Sequence, residues 1–239
     1  PDAAELHILP TLWFRNDWSE WIAESNRTNK KPIIKQIKAQ ANVTVAEASH
    51  SLLGDFIFSC EGDVPLLFTE NETNHEKLFP GTKNESPHVK DGINDYVIHK
   101  AQDAVNPDKQ GTKAAAHFRL TIGAGKTSVV SLRITKKDSN SNDTPFGKSF
   151  NTILNNRLSE ADEFYKSVIP SNVNTDEANV MRQALAGMLW SKQFFFFDGD
   201  NWLDEHNSNP LHSGYKQARN SDWYHMLNMD IISMPDKWE

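Results

Sequence analysis

The hydrophobic pattern of this chain changes its period once, close to residue 145, and that change constrains the fold more than any other feature. Before it, short apolar runs such as residues 56–58 and 64–68 alternate with turn signals rich in glycine, proline and asparagine. After it, apolar residues recur from Phe150 to Val168 at the three- and four-residue spacing of a helix. The sequence therefore predicts an antiparallel β-sandwich over residues 1–145, followed by helices.

The clearest strand pair is predicted at residues 117–134. Residues 117–122 and 130–134 both alternate apolar and polar side chains, and the turn-forming residues 123–126 follow the first run. We expect an antiparallel hairpin whose apolar side chains point into one sandwich core: Phe118, Leu120, Ile122, Val130, Leu132 and Ile134.

Two helices are predicted after a polar linker at residues 137–144. Pro170 ends the first, and the second begins near Thr175, with Asp176 and Glu177 in its first turn, where the helix dipole favours negative charge. The apolar stripe of the second helix continues far enough to predict helix as far as Phe197. The predicted organisation is a sandwich domain at 1–145, a linker helix at 146–172 and a further helical domain at 173–239.

Charge and composition exclude several classes of protein. The net charge of −7 argues against a nucleic-acid-binding protein, which would present a basic face. No apolar run approaches the ~20 residues that a membrane span requires. The single cysteine, Cys60, excludes an internal disulfide framework and a zinc site built from cysteines.

One short stretch has the spacing of a cation site. Asp198, Asp200 and Asn201 carry oxygen ligands of the kind that calcium prefers, and Asp204 and Glu205 follow closely. The competing interpretation is a solvated loop after a helix. The histidines show no metal-binding spacing, so calcium is the one metal that the sequence suggests.

The tryptophans are the most informative side chains. The chain has seven, and Trp190, Trp202, Trp223 and Trp238 fall in its last fifty residues among carboxylates. Flat apolar rings next to carboxylates suit sugar rings, whose C–H faces stack while their hydroxyls find acceptors. The competing interpretation is core packing, because aromatic side chains dominate buried area.

Several long stretches resemble glycoside hydrolase family 63, the family of processing α-glucosidase I and its microbial relatives. The C-terminal part of the resemblance lies at residues 183–193, 219–223 and 232–239. The N-terminal part lies at residues 9–16, 67–74, 90–94 and 111–117. The resemblance runs nearly end to end and is stronger to the microbial branch.

The resemblance implies a β-sandwich followed by the first helices of an (α/α)6 barrel, an α+β multidomain fold. It also implies an oligosaccharide substrate and an inverting mechanism with two carboxylic groups. In the family pattern both groups lie beyond Glu239, so no catalytic residue is expected in this chain. We expect the chain to be a piece of a longer protein, whose missing helices would leave Met188, Trp190 and Phe195 partly exposed.

We further predict that Trp238 and Glu239 lie at the rim of the substrate pocket, although Glu239 aligns with neither catalytic position of the family. Trp238 would stack on a sugar ring and Glu239 would contact hydroxyls. The alternative for Glu239 is a structural role, in which it caps a loop or pairs with Arg219 or Lys237.

Three functions remain open at this stage. The first is part of an inverting hydrolase of α-glucosides. The second is a non-catalytic carbohydrate-binding or scaffold module. The third is another (α/α)6 sugar hydrolase, similar to mannosylglycerate hydrolases or trehalases.

Overall fold

A computed structural model describes residues 2–16, 18, 30–37, 42–137, 144–219 and 221–233, and the structural statements below refer to these. The chain divides into two compact units, Pro1–Thr152 and Ile153–Glu239, which are described separately. The fold is mixed α and β, and all pairs of the strands named below are antiparallel.

Three sheets make up the first unit. The largest has the strand order β10-β5-β4-β3-β7, a second has the order β2-β8-β6, and β1 pairs with β9. The strands are β1 (Ala4–Ile8), β2 (Thr11–Trp13), β3 (Ile33–Ile37), β4 (Val43–His50), β5 (Gly54–Glu61), β6 (Leu66–Thr69), β7 (Gln110–Gly111), β8 (Lys113–Ala116), β9 (Phe118–Ile122) and β10 (Leu132–Lys136).

The main core of this unit lies between the five-stranded and the three-stranded sheets. Ile34, Ala46 and Phe58 of the larger sheet cluster with Phe68 and Ala114 of the smaller one. Alternate residues of a strand point to opposite faces, so each sheet contributes one apolar face to this core. The arrangement is consistent with the predicted sandwich.

A short helix covers the outer face of the three-stranded sheet. Leu67 and Ala115 point away from the main core and pack with Ile93 and Val97 of α2 (Gly92–His99), which follows the single-turn α1 (His75–Leu78). Gly92 is the first residue of α2. A Cβ on Gly92 would lie 2.2 Å from the carbonyl oxygen of Ala104, so the close packing here requires glycine.

The predicted hairpin between residues 117 and 134 is wrong in its pairing. β9 pairs with β1, and β10 pairs with β5, so the two strands belong to different sheets. Alternation shows that a strand buries one face, but it does not say which strand lies beside it. Phe118, Leu120, Val130 and Leu132 do contact the main core, whereas Ile134, on the edge strand β10, is 55% exposed.

Two helices connected by a short turn form the first part of the second unit, apart from the first residues of α3, which belong to the first unit. α3 (Lys148–Val168) and α4 (Thr175–Trp190) confirm the predicted helix starts, and Pro170 follows α3. Asn174 and Glu177 form a reciprocal capping box at the start of α4. Arg182 of α4 pairs with Asp162 of α3 and lies over the Tyr165 ring, 4.9 Å from its centroid.

The second helix is shorter than predicted. α4 ends at Trp190, and Lys192–Asp198 form a strand, β11, that pairs with β12 (Leu227–Ser233). The four consecutive phenylalanines at 194–197 favour a strand, because aromatic side chains pack well on a pleated surface. Phe195 and Phe196 therefore lie on β11 and not on the helical stripe.

Candidate functional site

The strand pair of the second unit has two aromatic faces. Phe194 lies opposite Ile231 and Phe196 opposite Met229, so these four share one face of the pair. Phe195 and Phe197 share the other face, where their rings stack at 6.4 Å between centroids. Neither face is deeply buried, since Phe194 and Phe196 are exposed and Phe195 is 37% exposed.

A cavity of about 330 Å³ opens on the Phe195 face. It is lined by Phe195, Phe197, Trp223, Met226 and Asn228. It is therefore apolar, with one amide as its polar group and no charged side chain. Ligand pockets commonly combine apolar walls with a few polar groups that fix orientation.

Gly199, the first residue of α5 (Gly199–Glu205), lets the backbone around this cavity come close together. Its N–H donates to the Met226 carbonyl oxygen at 2.8 Å, and a Cβ at this position would lie 2.7 Å from the Trp223 carbonyl oxygen. A side chain at residue 199 would therefore push the 3-10 turn Ser221–Trp223 away from β11.

The C-terminal tryptophans are more exposed than the core interpretation predicts. Trp190 is 85% and Trp223 is 54% exposed, whereas Trp202 is half-buried and stacks on His206 at 4.0 Å between ring centroids. Trp223, at the end of the 3-10 turn Ser221–Trp223, is thus the tryptophan among the described residues that lines this cavity. Trp238 and Glu239, the substrate-binding residues predicted from the sequence, lie outside the described residues.

The stretch proposed for calcium makes hydrogen bonds among its own side chains. Asp198 accepts from the backbone and side-chain nitrogens of Asn201, at 3.2 and 2.6 Å, and so caps the N-terminus of α5. The Asn209 amide donates to Asp200 and Asp204, at 2.8 and 2.6 Å. Within the described ranges, no group of three or more His, Cys, Asp or Glu side chains could hold a metal ion. Calcium binding stays a prediction of the sequence.

The first unit contains a polar cluster that sequence analysis did not single out. Lys31 Nζ lies 2.8 Å from Glu72 Oε1 and 3.1 Å from Glu70 Oε2. Glu72 Oε1 also accepts from Trp18 Nε1 at 2.7 Å, and Glu70 Oε2 accepts from Thr112 Oγ1 at 2.8 Å. We call these five residues the Lys31 cluster.

The electrostatics of the Lys31 cluster favour a charged lysine. Burial of Lys31 on its own would lower the pKa of its ammonium group, but the hydrogen bond to Glu72 and the charges of both carboxylates raise the pKa above its ordinary value. Glu72 is itself buried. The sequence signal that could have located the cluster is the pair of carboxylates at 70 and 72, directly after the buried strand β6.

The N-terminal segments that carry the family resemblance meet next to this cluster. Phe14 N–H donates to the Thr112 carbonyl oxygen at 3.0 Å, and the Asn71 side chain donates to the Phe14 carbonyl oxygen at 2.9 Å. Asn71 N–H donates to Thr112 Oγ1 at 2.8 Å, and Lys90 N–H donates to the Glu72 carbonyl oxygen at 3.1 Å. Segments 9–16, 67–74, 90–94 and 111–117 thus form one hydrogen-bonded group.

Comparisons with known proteins identify one relative of unknown activity. The chain is 35% identical over 269 aligned positions to the uncharacterized protein YMR196W of Saccharomyces cerevisiae. The alignment includes the whole of this chain but only 24% of that protein, so the chain spans about a quarter of the length of the curated relative it matches. No family model and no solved structure matches the chain. In the described part of the chain, no helix is both long and apolar enough to cross a membrane.

Proposed function

We propose that this chain is part of an inverting glycoside hydrolase that acts on α-glucosides and resembles glycoside hydrolase family 63. The observation that carries the proposal is the cavity lined by Phe195, Phe197 and Trp223 in the second unit. Its strand β12 is followed in the sequence, within six residues, by Trp238 and Glu239, the two residues predicted to contact the substrate.

The chemistry of this cavity suits a neutral sugar. The aromatic walls offer flat apolar surfaces to the C–H face of a pyranose ring, and the Asn228 amide can both donate to and accept from hydroxyl groups. Its volume of about 330 Å³ falls at the lower end of the range for ligand pockets. In the proposed site, Trp238 adds a further stacking surface and Glu239 accepts from hydroxyls.

The helices support the proposal that an (α/α)6 barrel begins in this chain. Neither α3 nor α4 has a buried residue, although both have apolar stripes. Helices of this kind gain most of their stability by packing an apolar face against another element. Further helices of the same protein would supply that packing in a barrel of helix pairs.

The experiment that tests this function uses a longer form of the protein that continues beyond Glu239. We expect it to hydrolyse an α-glucoside and to release β-glucose first, as seen by proton NMR of the anomeric signals. Replacing Trp223 by Ala is expected to lower kcat/KM about tenfold, equivalent to a loss of about 1.4 kcal/mol of stacking. Trp223→Phe keeps an aromatic plane and serves as the matched control.

Other outcomes of this experiment select the competing functions. Sugar binding without turnover would identify a carbohydrate-binding or scaffold module. Turnover restricted to trehalose or to a mannoside would identify another (α/α)6 hydrolase. A protein that neither binds nor cleaves any sugar would contradict all three.

The exposed apolar surface of the second unit leads us to a separate prediction, which concerns self-association of the chain. Met188 and Trp190 are 60% and 85% exposed, and Phe194 and Ile231 add to the exposed apolar surface of this unit. A soluble monomer seldom exposes more than a few hundred Å² of contiguous apolar surface. We expect the 239-residue chain to self-associate as its concentration rises, as measured by sedimentation velocity. The double variant Met188→Lys, Trp190→Lys should associate more weakly. If the parent chain stays a compact monomer and binds no hydrophobic dye at any concentration, the predicted association is wrong.

A further inference from the structure

Two histidines of the first unit share a short hydrogen bond. His7 lies on β1 and His117 lies between β8 and β9, and His7 Nδ1 is 2.7 Å from His117 Nε2. The two rings lie at 29° to each other, with 4.9 Å between their centroids. On its other side, His7 Nε2 is 3.1 Å from Glu5 Oε1. Glu5, His7 and His117 thus form a chain from a carboxylate through two imidazoles.

The number of protons on the side chains of Glu5, His7 and His117 determines whether the bond between the two imidazoles can exist. The Glu5 carboxylate only accepts, so His7 Nε2 carries a hydrogen. When His7 is neutral, its Nδ1 is bare and His117 donates from Nε2. When His7 is protonated, its Nδ1 donates and His117 accepts, so the hydrogen of neutral His117 moves to its own Nδ1. With both rings protonated, two N–H groups would face each other and the bond cannot form.

The surroundings of the pair oppose the second proton. Burial is the largest effect that lowers the pKa of His117, and the positive charges of His7, Arg119 and Lys100 lower it further. The Tyr96 ring meets His117 edge-on at 6.2 Å between centroids and supplies no charge. Glu5 is the carboxylate that faces the pair in the described structure, and it is shared with Arg119 Nη2 at 3.1 Å.

Besides the backbone ladder with β9, the Glu5–Arg119 ion pair and the His7–His117 bond connect residues 4–7 of β1 to the rest of the sandwich. The strand partner of β1 among the described residues is β9, and Leu6 is 47% exposed, whereas Ile8 packs against the main core. The His7–His117 bond is therefore the side-chain link between Ala4–His7 and the rest of the sandwich that is most sensitive to protons.

We propose that the His7–His117 pair is an acid-sensitive latch, which holds residues 4–7 on β9 while it carries at most one proton and releases them when both imidazoles are protonated. The direction of the pH dependence follows from the difference between the pKa of His117 in the folded chain and in the unfolded chain. The unfolded chain protonates residue 117 near its ordinary pKa of 6.5, whereas the folded chain does so at lower pH. The stabilisation from the latch is therefore complete above about pH 6.5 and is lost as the pH falls below it.

Amide hydrogen exchange in the intact chain tests the latch. Between about pH 7.5 and about pH 5, and after correction for intrinsic exchange, we expect protection of the β1–β9 ladder to fall at least about tenfold. His117→Gln keeps a group that can donate to or accept from His7 but cannot be protonated. In His117→Gln, the protection of the β1–β9 ladder should change less than about twofold over the same pH range. His99→Gln, at an exposed histidine of α2, is the matched control and should behave like the parent chain.

Two results would overturn the latch. The first is ladder protection in the parent chain that does not change with pH. The second is a pH-dependent loss in His117→Gln as large as that in the parent. If His117→Gln does not fold, the nitrogen chemical shifts of the imidazoles in the parent decide. The latch requires ladder protection to fall as the second imidazole of the pair takes up its proton, and two protonated imidazoles beside a ladder that stays protected refute it.

Discussion

The 239-residue chain is expected to release no glucose from any α-glucoside. An inverting glycosidase requires a protonated carboxyl group on the leaving oxygen and an ionised one that activates water, roughly 6.5–9.5 Å apart. The cavity on the Phe195 face of β11 is lined by three aromatic residues, a methionine and an asparagine, so it contains neither group. In the proposed function both groups belong to residues that follow Glu239.

A coupled glucose assay on the purified chain measures this, with the longer protein as the positive control. The most informative variant is Glu239→Gln, because Glu239 is the carboxylate that the proposal places nearest the substrate. Glucose release by the chain that disappears in Glu239→Gln would show that the acid is within these residues after all. Release that survives in Glu239→Gln would contradict the proposed positions of both carboxylates.

The largest loss of stability is expected from Phe68→Ala. The Phe68 side chain is completely buried in the main core, where β6 and β8 face the five-stranded sheet. Removing it deletes its transfer free energy and leaves a cavity that the two sheets cannot close. The free energy of unfolding should fall by about 3–5 kcal/mol.

Urea unfolding followed by circular dichroism measures this loss as a lower midpoint at an unchanged slope. Leu52→Ala is the matched control, because Leu52 is 81% exposed in the turn between β4 and β5. Its effect on the free energy of unfolding should stay within about 0.5 kcal/mol. Equal effects of the two substitutions would mean that the core does not lie between these sheets.

The hydrophobic period predicted the helices better than it predicted the strand pairing. α3 and the start of α4 follow from local signals, since Pro170, Asn174 and Glu177 act within one or two turns of their own positions. The partners of β9 and β10 depend on β1 and β5, which are far away in the sequence. The end of α4 was missed because the helical spacing of its stripe continues by coincidence into the phenylalanines of β11.

The candidate site could be predicted only in its residue types. The concentration of tryptophans pointed to the C-terminal part, but whether Trp223 is buried or lines a cavity depends on how closely residue 199 lets the chain approach. The Lys31 cluster draws on residues 18, 31, 70, 72 and 112, and no local pattern connects them. The His7–His117 bond joins positions 110 residues apart in the sequence.

The carboxylate of Glu72 has a consequence for how this sequence can diverge or be engineered. A single oxygen accepts from Trp18 and from Lys31, so the two ends of the intervening stretch are fixed at one point. A substitution of Glu72 therefore removes one contact of Trp18 and one of Lys31 at the same time, so positions 18, 31 and 72 are expected to change together when this sequence diverges.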